Sequence, residues 1–176
     1  NVLTGLYHPD GGDIVFAGEK LKASAPHDVA QRGIARTFQN IRLFGNMTAI
    51  ENVMVGQHVR THANVFGAVM LNRRTRREEA AIRRHAEELL HYVNIAGRAN
   101  DLARHLSYGD QRRLEIARAL ASDPKLLALD EPAAGMNGTE TEALRALVEG
   151  IRRDGVTVLL IEHDVKLVMG LCDRVA

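Results

Sequence analysis

Apolar and polar positions alternate along this chain in two distinct rhythms. Two short runs, Leu126-Leu127-Ala128-Leu129 and Val156-Thr157-Val158-Leu159-Leu160-Ile161, are almost unbroken by polar residues. Runs of that length predict strands covered on both faces, as in a parallel sheet. The first ends in Asp130-Glu131-Pro132 and the second in Glu162-His163-Asp164. Pro132 cannot donate to a sheet ladder, so the first strand should stop there. Between the two runs, Thr139 to Arg153 reads as a helix, with Thr139 as cap, Glu142 three residues on and Gly155 as the stop. Strand, helix and strand make a βαβ unit, which puts Glu131 and His163 on the same edge of one sheet.

The rest of the chain follows the helical rhythm with strand interruptions. Asn1 to Leu6 reads as the end of a helix, Pro9-Asp10-Gly11-Gly12 as a turn and Asp13 to Gly18 as a strand. Pro26 to Arg32 predicts a short helix that starts near Ser24 or Ala25 and closes at Gly33. Ile34 to Phe38 predicts a second strand, with Gln39 just past its carboxyl end. Thr48 and Glu51 form a capping-box pattern before a helix with Ile50, Val53, Met54 and Gln57 on one side. The apolar, glycine-containing segment from Asn64 to Asn72 predicts no element. A long helix runs from Arg73 to about Val93, with Leu89, Leu90 and Val93 at helical spacing. Ser107 is a good N-cap, with Asp110 three residues later, for a helix through Ala121 that Asp123-Pro124 ends.

Composition narrows the function. A net charge of +1 over 176 residues argues against a general attraction to nucleic acid or acidic lipid. The basic run Arg73-Arg74-Thr75-Arg76-Arg77 is followed at once by Glu78 and Glu79, and Tyr92 is the only stacking residue nearby. A solvated helix face fits it better than a nucleic-acid patch. The single cysteine, Cys172, excludes an internal disulfide and suits a reducing compartment. No leader peptide is read at Asn1. No apolar run approaches the ~20 residues that span a bilayer, so a membrane role is expected to come through a partner.

The order of parts then becomes informative. Gln39 follows a strand, Leu106-Ser107-Tyr108-Gly109 opens a helix, one apolar strand ends in Asp130-Glu131 and the next leads into His163. This order resembles the nucleotide-binding subunit of ABC transporters, over essentially the whole chain. Arg36-Thr37-Phe38-Gln39, Arg42-Leu43-Phe44, Gly56-Gln57-His58, Gln111-Arg112-Arg113-Leu114-Glu115-Ile116, Glu131-Pro132-Ala133-Ala134-Gly135 and Ile161-Glu162-His163-Asp164 resemble most the ATP-binding protein of branched-chain amino-acid importers, the LivG type. The resemblance implies an α/β fold of the P-loop NTPase kind, with a mostly parallel sheet, flanking helices and a helical subdomain. Residues 40–106 would hold the glutamine loop and that subdomain. Residues 107–176 would hold the signature, Walker B and switch-histidine region.

It also implies roles and partners. Asp130 matches the Walker B aspartate that holds Mg²⁺, and Glu131 the residue that orients and polarises the attacking water. Gln39 matches the glutamine that touches metal or water and senses the membrane subunit, and His163 the histidine that donates to the γ-phosphate. Ser107, Gly109 and Gln111 match the signature that grips ATP bound to a second ATPase subunit. Asn137 stands in the loop after Walker B, where many relatives have aspartate, and is expected to join Ser107, Gly109 and Gln111 in binding the nucleotide. Tyr108 replaces a common glycine. Asp110 replaces a common glutamine and brings negative charge near a triphosphate, which is expected to weaken closure. ATP and Mg²⁺ are the implied cofactors. The implied partners are a second ATPase subunit, two permeases and, indirectly, a periplasmic solute-binding protein, at the cytoplasmic face of the membrane.

The resemblance departs at one point. No G-x-x-x-x-G-K-[ST] phosphate loop occurs in the 176 residues. The family places it just upstream of Asn1, together with the aromatic residue that stacks on adenine. The expectation is therefore an internal stretch of a longer ATPase, inactive by itself. Two other readings stay open: the ATPase of a lipopolysaccharide-export system, and a non-catalytic interaction module.

Overall fold

The computed structural model describes residues 2–5, 7, 11–21, 25–57 and 73–175, without the side chains of 73–76. The turn at Pro9-Asp10, the helix start at Ser24, His58 and the segment Asn64 to Asn72 lie outside the described residues, as do the side chains of most of the basic run.

A single 3₁₀ turn, Val2–Thr4, opens the described fold where the sequence predicts the end of a helix, and a hairpin of β1 (Ile14–Phe16) and β2 (Glu19–Leu21) follows. The sequence predicts only its first strand. The turn between them puts both Ala17 (φ 51°) and Gly18 (φ 83°) in the left-handed region. Alanine is rare there, so the turn carries little signal in the sequence. Helix α1 (Pro26–Gln31) starts with Pro26 in its first turn, and Ala25 N–H donates to Asp28 Oδ2. Gly33, at φ 96°, turns the chain into β3 (Ile34–Arg36).

Helices α2 (Ala49–Gln57), α3 (Arg73–Tyr92) and α4 (Tyr108–Leu120) follow, then β4 (Leu126–Asp130), α5 (Gly138–Arg153), β5 (Thr157–Ile161) and α6 (Val165–Leu171). Strands β3, β4 and β5 lie side by side in that order, all parallel. The expected βαβ unit is thus present, and β4 is the central strand of the three. Leu127, Ala128 and Leu129 are buried as an unbroken apolar run requires.

Two expectations need correction. The first is β5, expected to be covered on both faces. Leu159 (38% exposed) and Ile161 (47%) face outward, while Val158 and Leu160 pack on the core. β5 is the last strand in the described sheet, and no described element covers its second face. The second is the cap of α5. Asn137, not Thr139, caps that helix: its side chain accepts from Glu140 N–H at 3.0 Å and its own N–H donates to Glu140 Oε2 at 2.9 Å. Glu142 instead pairs with Arg145. Both registers offer a polar cap with an acid three residues on, so spacing alone could not choose.

A single apolar cluster ties helices to sheet. It includes Ile50 and Val53 of α2, Leu90 of α3, Leu114 and Ile116 of α4, Leu127 and Leu129 of β4, and Leu144 and Ile151 of α5. Gly56 lets α2 approach α4 closely, since a Cβ there would collide with the carbonyl of Arg118. Tyr92 closes the far end of α3 by donating to Asp154 Oδ2 at 2.6 Å. Burial, followed by that acceptor, pushes the Tyr92 phenol above its ordinary pKa and keeps it a donor. No helix among the described residues is long and apolar enough to cross a membrane.

Candidate functional site

Parallel sheets gather ligands at the carboxyl ends of their strands. Here β3, β4 and β5 bring Gln39, Asp130-Glu131 and His163 to that edge in neighbouring order. The pairing of Asp130 with Ile161 continues one residue further, where Glu131 N–H donates to Ile161 O at 2.8 Å.

The two acids leave β4 differently. Asp130 ends the strand and accepts from Arg36 Nη2 at 2.6 Å, with side chains 19% and 12% exposed. Arg36 also donates to Thr4 Oγ1 at 3.4 Å. Glu131 takes φ 45°, a left-handed conformation that costs a non-glycine residue roughly 1–2 kcal/mol. From there its carboxylate Oε2 accepts from Gln39 Nε2 at 2.8 Å. The amide oxygen of Gln39 takes no part in that bond, which leaves it for a cation or a water.

At the end of β5 the arrangement is looser. His163 has a side chain 75% exposed and lies 4.0 Å from Glu162 Oε2. Glu162 itself is 2% exposed in its side chain and accepts from the N–H groups of Ala133, His163 and Asp164. It ties the loop after β4 to the loop after β5. Asp164 caps α6 through Lys166 N–H and Leu167 N–H.

The remaining candidates cluster at the start of α4. Ser107 Oγ accepts from Asp110 N–H at 3.2 Å, as the N-cap pattern predicts. Gln111 turns back, its Nε2 donating to Leu106 O at 3.0 Å. Gly109 is buried, and a Cβ there would lie 3.0 Å from Glu140 Oε1 at the start of α5. Asn137 commits its side-chain oxygen to the α5 cap. This second group therefore meets the start of α5, whereas Gln39, Asp130 and Glu131 interlock at the sheet edge.

Sequence reasoning missed four contributors. Arg36 lies on the short predicted strand Ile34 to Phe38, and a cationic side chain on an otherwise largely apolar strand is itself a signal. Glu162 looks like any acid after a strand until its burial is known. Arg112 and Glu115, both buried, hold the backbone around Gln39.

An α/β core with an oxygen-rich rim at the carboxyl ends of a parallel sheet defines the class of open-sheet α/β proteins that bind ligands at that edge. Comparison with known proteins narrows the class. The family described as ABC transporter matches residues 1–134. Over 176 residues, 99% of this chain and 69% of the relative, identity is 47% to BraF of Pseudomonas aeruginosa, a high-affinity branched-chain amino acid transport ATP-binding protein. LivG of Escherichia coli, of the same description, is 43% identical over the same shares. LptB of Haemophilus influenzae, a lipopolysaccharide export system ATP-binding protein, is 34% identical over 98% of this chain and 66% of its own length. A nucleotide-free ATP-binding cassette from an ABC transporter superposes with a TM-score of 0.81 at 27% identity, covering 98% of this chain and 68% of that one. The chain belongs to the ABC transporter family.

Proposed function

We propose that this chain is the ATP-hydrolysing part of an ABC importer for branched-chain amino acids. The observation that carries the reading is the Gln39–Glu131 bond at 2.8 Å, beside Asp130 and at the carboxyl rim. In phosphoryl transfer the protein chiefly positions groups and stabilises charge. Glu131 holds a carboxylate outside the strand, fixed by its own backbone bond to β5 and by Gln39, where it can accept from an attacking water. Gln39 fixes that carboxylate and offers its amide oxygen to the same water. His163, exposed at the next strand end, donates an N–H to a γ-phosphate oxygen.

Asp130 and Gln39 fit magnesium by donor chemistry, since both present hard oxygens and Asp130 already attracts a guanidinium. No group of three or more His, Cys, Asp or Glu among the described residues could hold a metal unaided. That suits an ion held by one carboxylate together with substrate phosphates. When bound, Mg²⁺ neutralises charge on the phosphates. Ser107, Gly109 and Gln111 lie at the start of α4, whose positive dipole end favours a phosphate of ATP bound to a second subunit. Permeases and a solute-binding protein complete the proposed assembly, at the cytoplasmic face of the membrane. The higher identity to BraF and LivG than to LptB favours import over lipopolysaccharide export.

The test is Glu131→Gln in the full-length protein. ATP binding should persist while turnover falls by at least about 100-fold, the scale of a lost general base. Turnover near wild type would remove Glu131 from the reaction.

A further inference from the structure

The start of α4 and the Gln39 segment are joined by a buried ion pair that the mechanism above does not use. Arg112 is 0% exposed and Glu115, one turn on, is 1% exposed. Burying two charges yields little stability compared with apolar residues of the same size. A pair held in the core therefore calls for a role other than stability.

Its contacts indicate one. Arg112 Nη1 donates to Phe38 O at 2.7 Å and to Glu115 Oε2 at 2.8 Å. Its Nη2 donates to Gln39 O at 2.8 Å and to the Tyr108 hydroxyl at 3.2 Å. The other oxygen of Glu115 accepts from Phe38 N–H and Arg42 N–H, each at 3.4 Å. The planar guanidinium thus fixes two successive carbonyls, one of them on Gln39 itself, in a way a lysine could not. The far end of the segment is held by Asn52 of α2, fully buried, which accepts from Phe44 N–H at 2.9 Å and donates to Phe44 O at 3.1 Å. The side chain that leaves this clamped backbone is the one that meets Glu131.

We infer that Arg112 and Glu115 are positioning residues that lock the Gln39 segment to α4, so that the start of that helix and the Gln39–Glu131 contact move as one body. The inference rests on the reading of Gln39 and Glu131 as water-handling groups. It adds a mechanical link from the helix start, which bears Ser107 and Gly109, to the reacting edge.

The experiment uses the full-length protein with the double variant Arg112→Gln/Glu115→Ala, which removes both charges and leaves neither buried alone. Amide hydrogen exchange at Phe38 and Arg42 should rise at least about tenfold while Leu114 to Leu120 of α4 stays protected, as expected for local opening. ATP turnover should fall at least about tenfold with KM within about twofold, since a misplacement near 1 Å can cost 100-fold. Adding Gln39→Ala to that background should change turnover less than about twofold, although Gln39→Ala alone lowers it strongly. A merely structural pair would lower stability and leave the effect of Gln39→Ala intact; that additivity, or unchanged exchange at Phe38 and Arg42, overturns the inference. If Gln39→Ala alone is silent, the catalytic reading of Gln39 fails, and the exchange result by itself decides whether the lock exists. Should the double variant not fold, Glu115→Gln keeps the volume and is judged by the same exchange, with a smaller rise expected.

Discussion

The two strand ends that carry the proposed chemistry differ in how much of the protein holds them. At the end of β4, Asp130 is engaged by Arg36 and Glu131 by Gln39, both from the neighbouring strand segment. At the end of β5 the imidazole of His163 is three-quarters exposed. The buried Glu162 beside it supports backbone N–H groups on both loops. The difference follows from position: β4 is flanked on both sides, whereas β5 is last among the described strands. In the proposed reading, the carboxylates are organised before substrate arrives. The imidazole is organised by the phosphate it meets.

The comparison breaks most readily at Asp130. Asp130→Ala removes a charge-assisted hydrogen bond of 2.6 Å between two mostly buried side chains. Such bonds contribute about 1.5–3 kcal/mol, so urea unfolding should show a loss in that range, discounted toward its lower end by the residual exposure. Arg36 keeps its contact with Thr4, which also limits the loss. A loss under about 0.5 kcal/mol would mean that the β4 end is no better organised than an ordinary surface site.

How much of this was legible beforehand follows the reach of each signal. The apolar run of β4, the Ser107 cap and the Thr48–Glu51 box are local and appear as read, whereas the run of β5 forms its strand but is covered on one face only. That Glu131 and His163 share one sheet edge also follows from the βαβ reading, whereas the place of Gln39 beside them rests on the pairing of β3 with β4, which no local pattern states. What was hidden is long-range. Arg36 meets Asp130 across 94 positions and Arg112 meets Phe38 across 74. No periodicity reports such pairings. Burial of Glu162 and exposure of Ile161 depend on which elements flank β5, which a single strand pattern cannot state. The strained φ of Glu131 is likewise invisible, because the residue type there is ordinary and only the turn forces it.

A middling effect is expected at the caps that follow each strand end. Asn137 shares a reciprocal pair of bonds with Glu140, while Asp164 caps a helix of only seven residues. Asn137→Ala should lower thermal stability by about 1 kcal/mol, the usual value of a lost cap. Turnover should change much less than with Glu131→Gln, because the side-chain oxygen of Asn137 is already engaged in the cap. A turnover loss comparable with that of Glu131→Gln would show that Asn137 leaves its cap to reach the nucleotide, and would make the loop after β4 the mobile end of the pair.

The smallest effect on stability should come from the residue proposed to matter greatly for turnover. His163 makes one approach to a carboxylate, at 4.0 Å, and an exposed pair at that separation adds little. His163→Ala should therefore change unfolding stability by less than about 0.5 kcal/mol, measured in urea without nucleotide. With ATP and Mg²⁺ present, the same substitution should reduce the stabilisation that ligand brings, because only the bound form uses the imidazole. Equal losses with and without nucleotide would place His163 in the fixed framework alongside Asp130, and the contrast between the two strand ends would disappear.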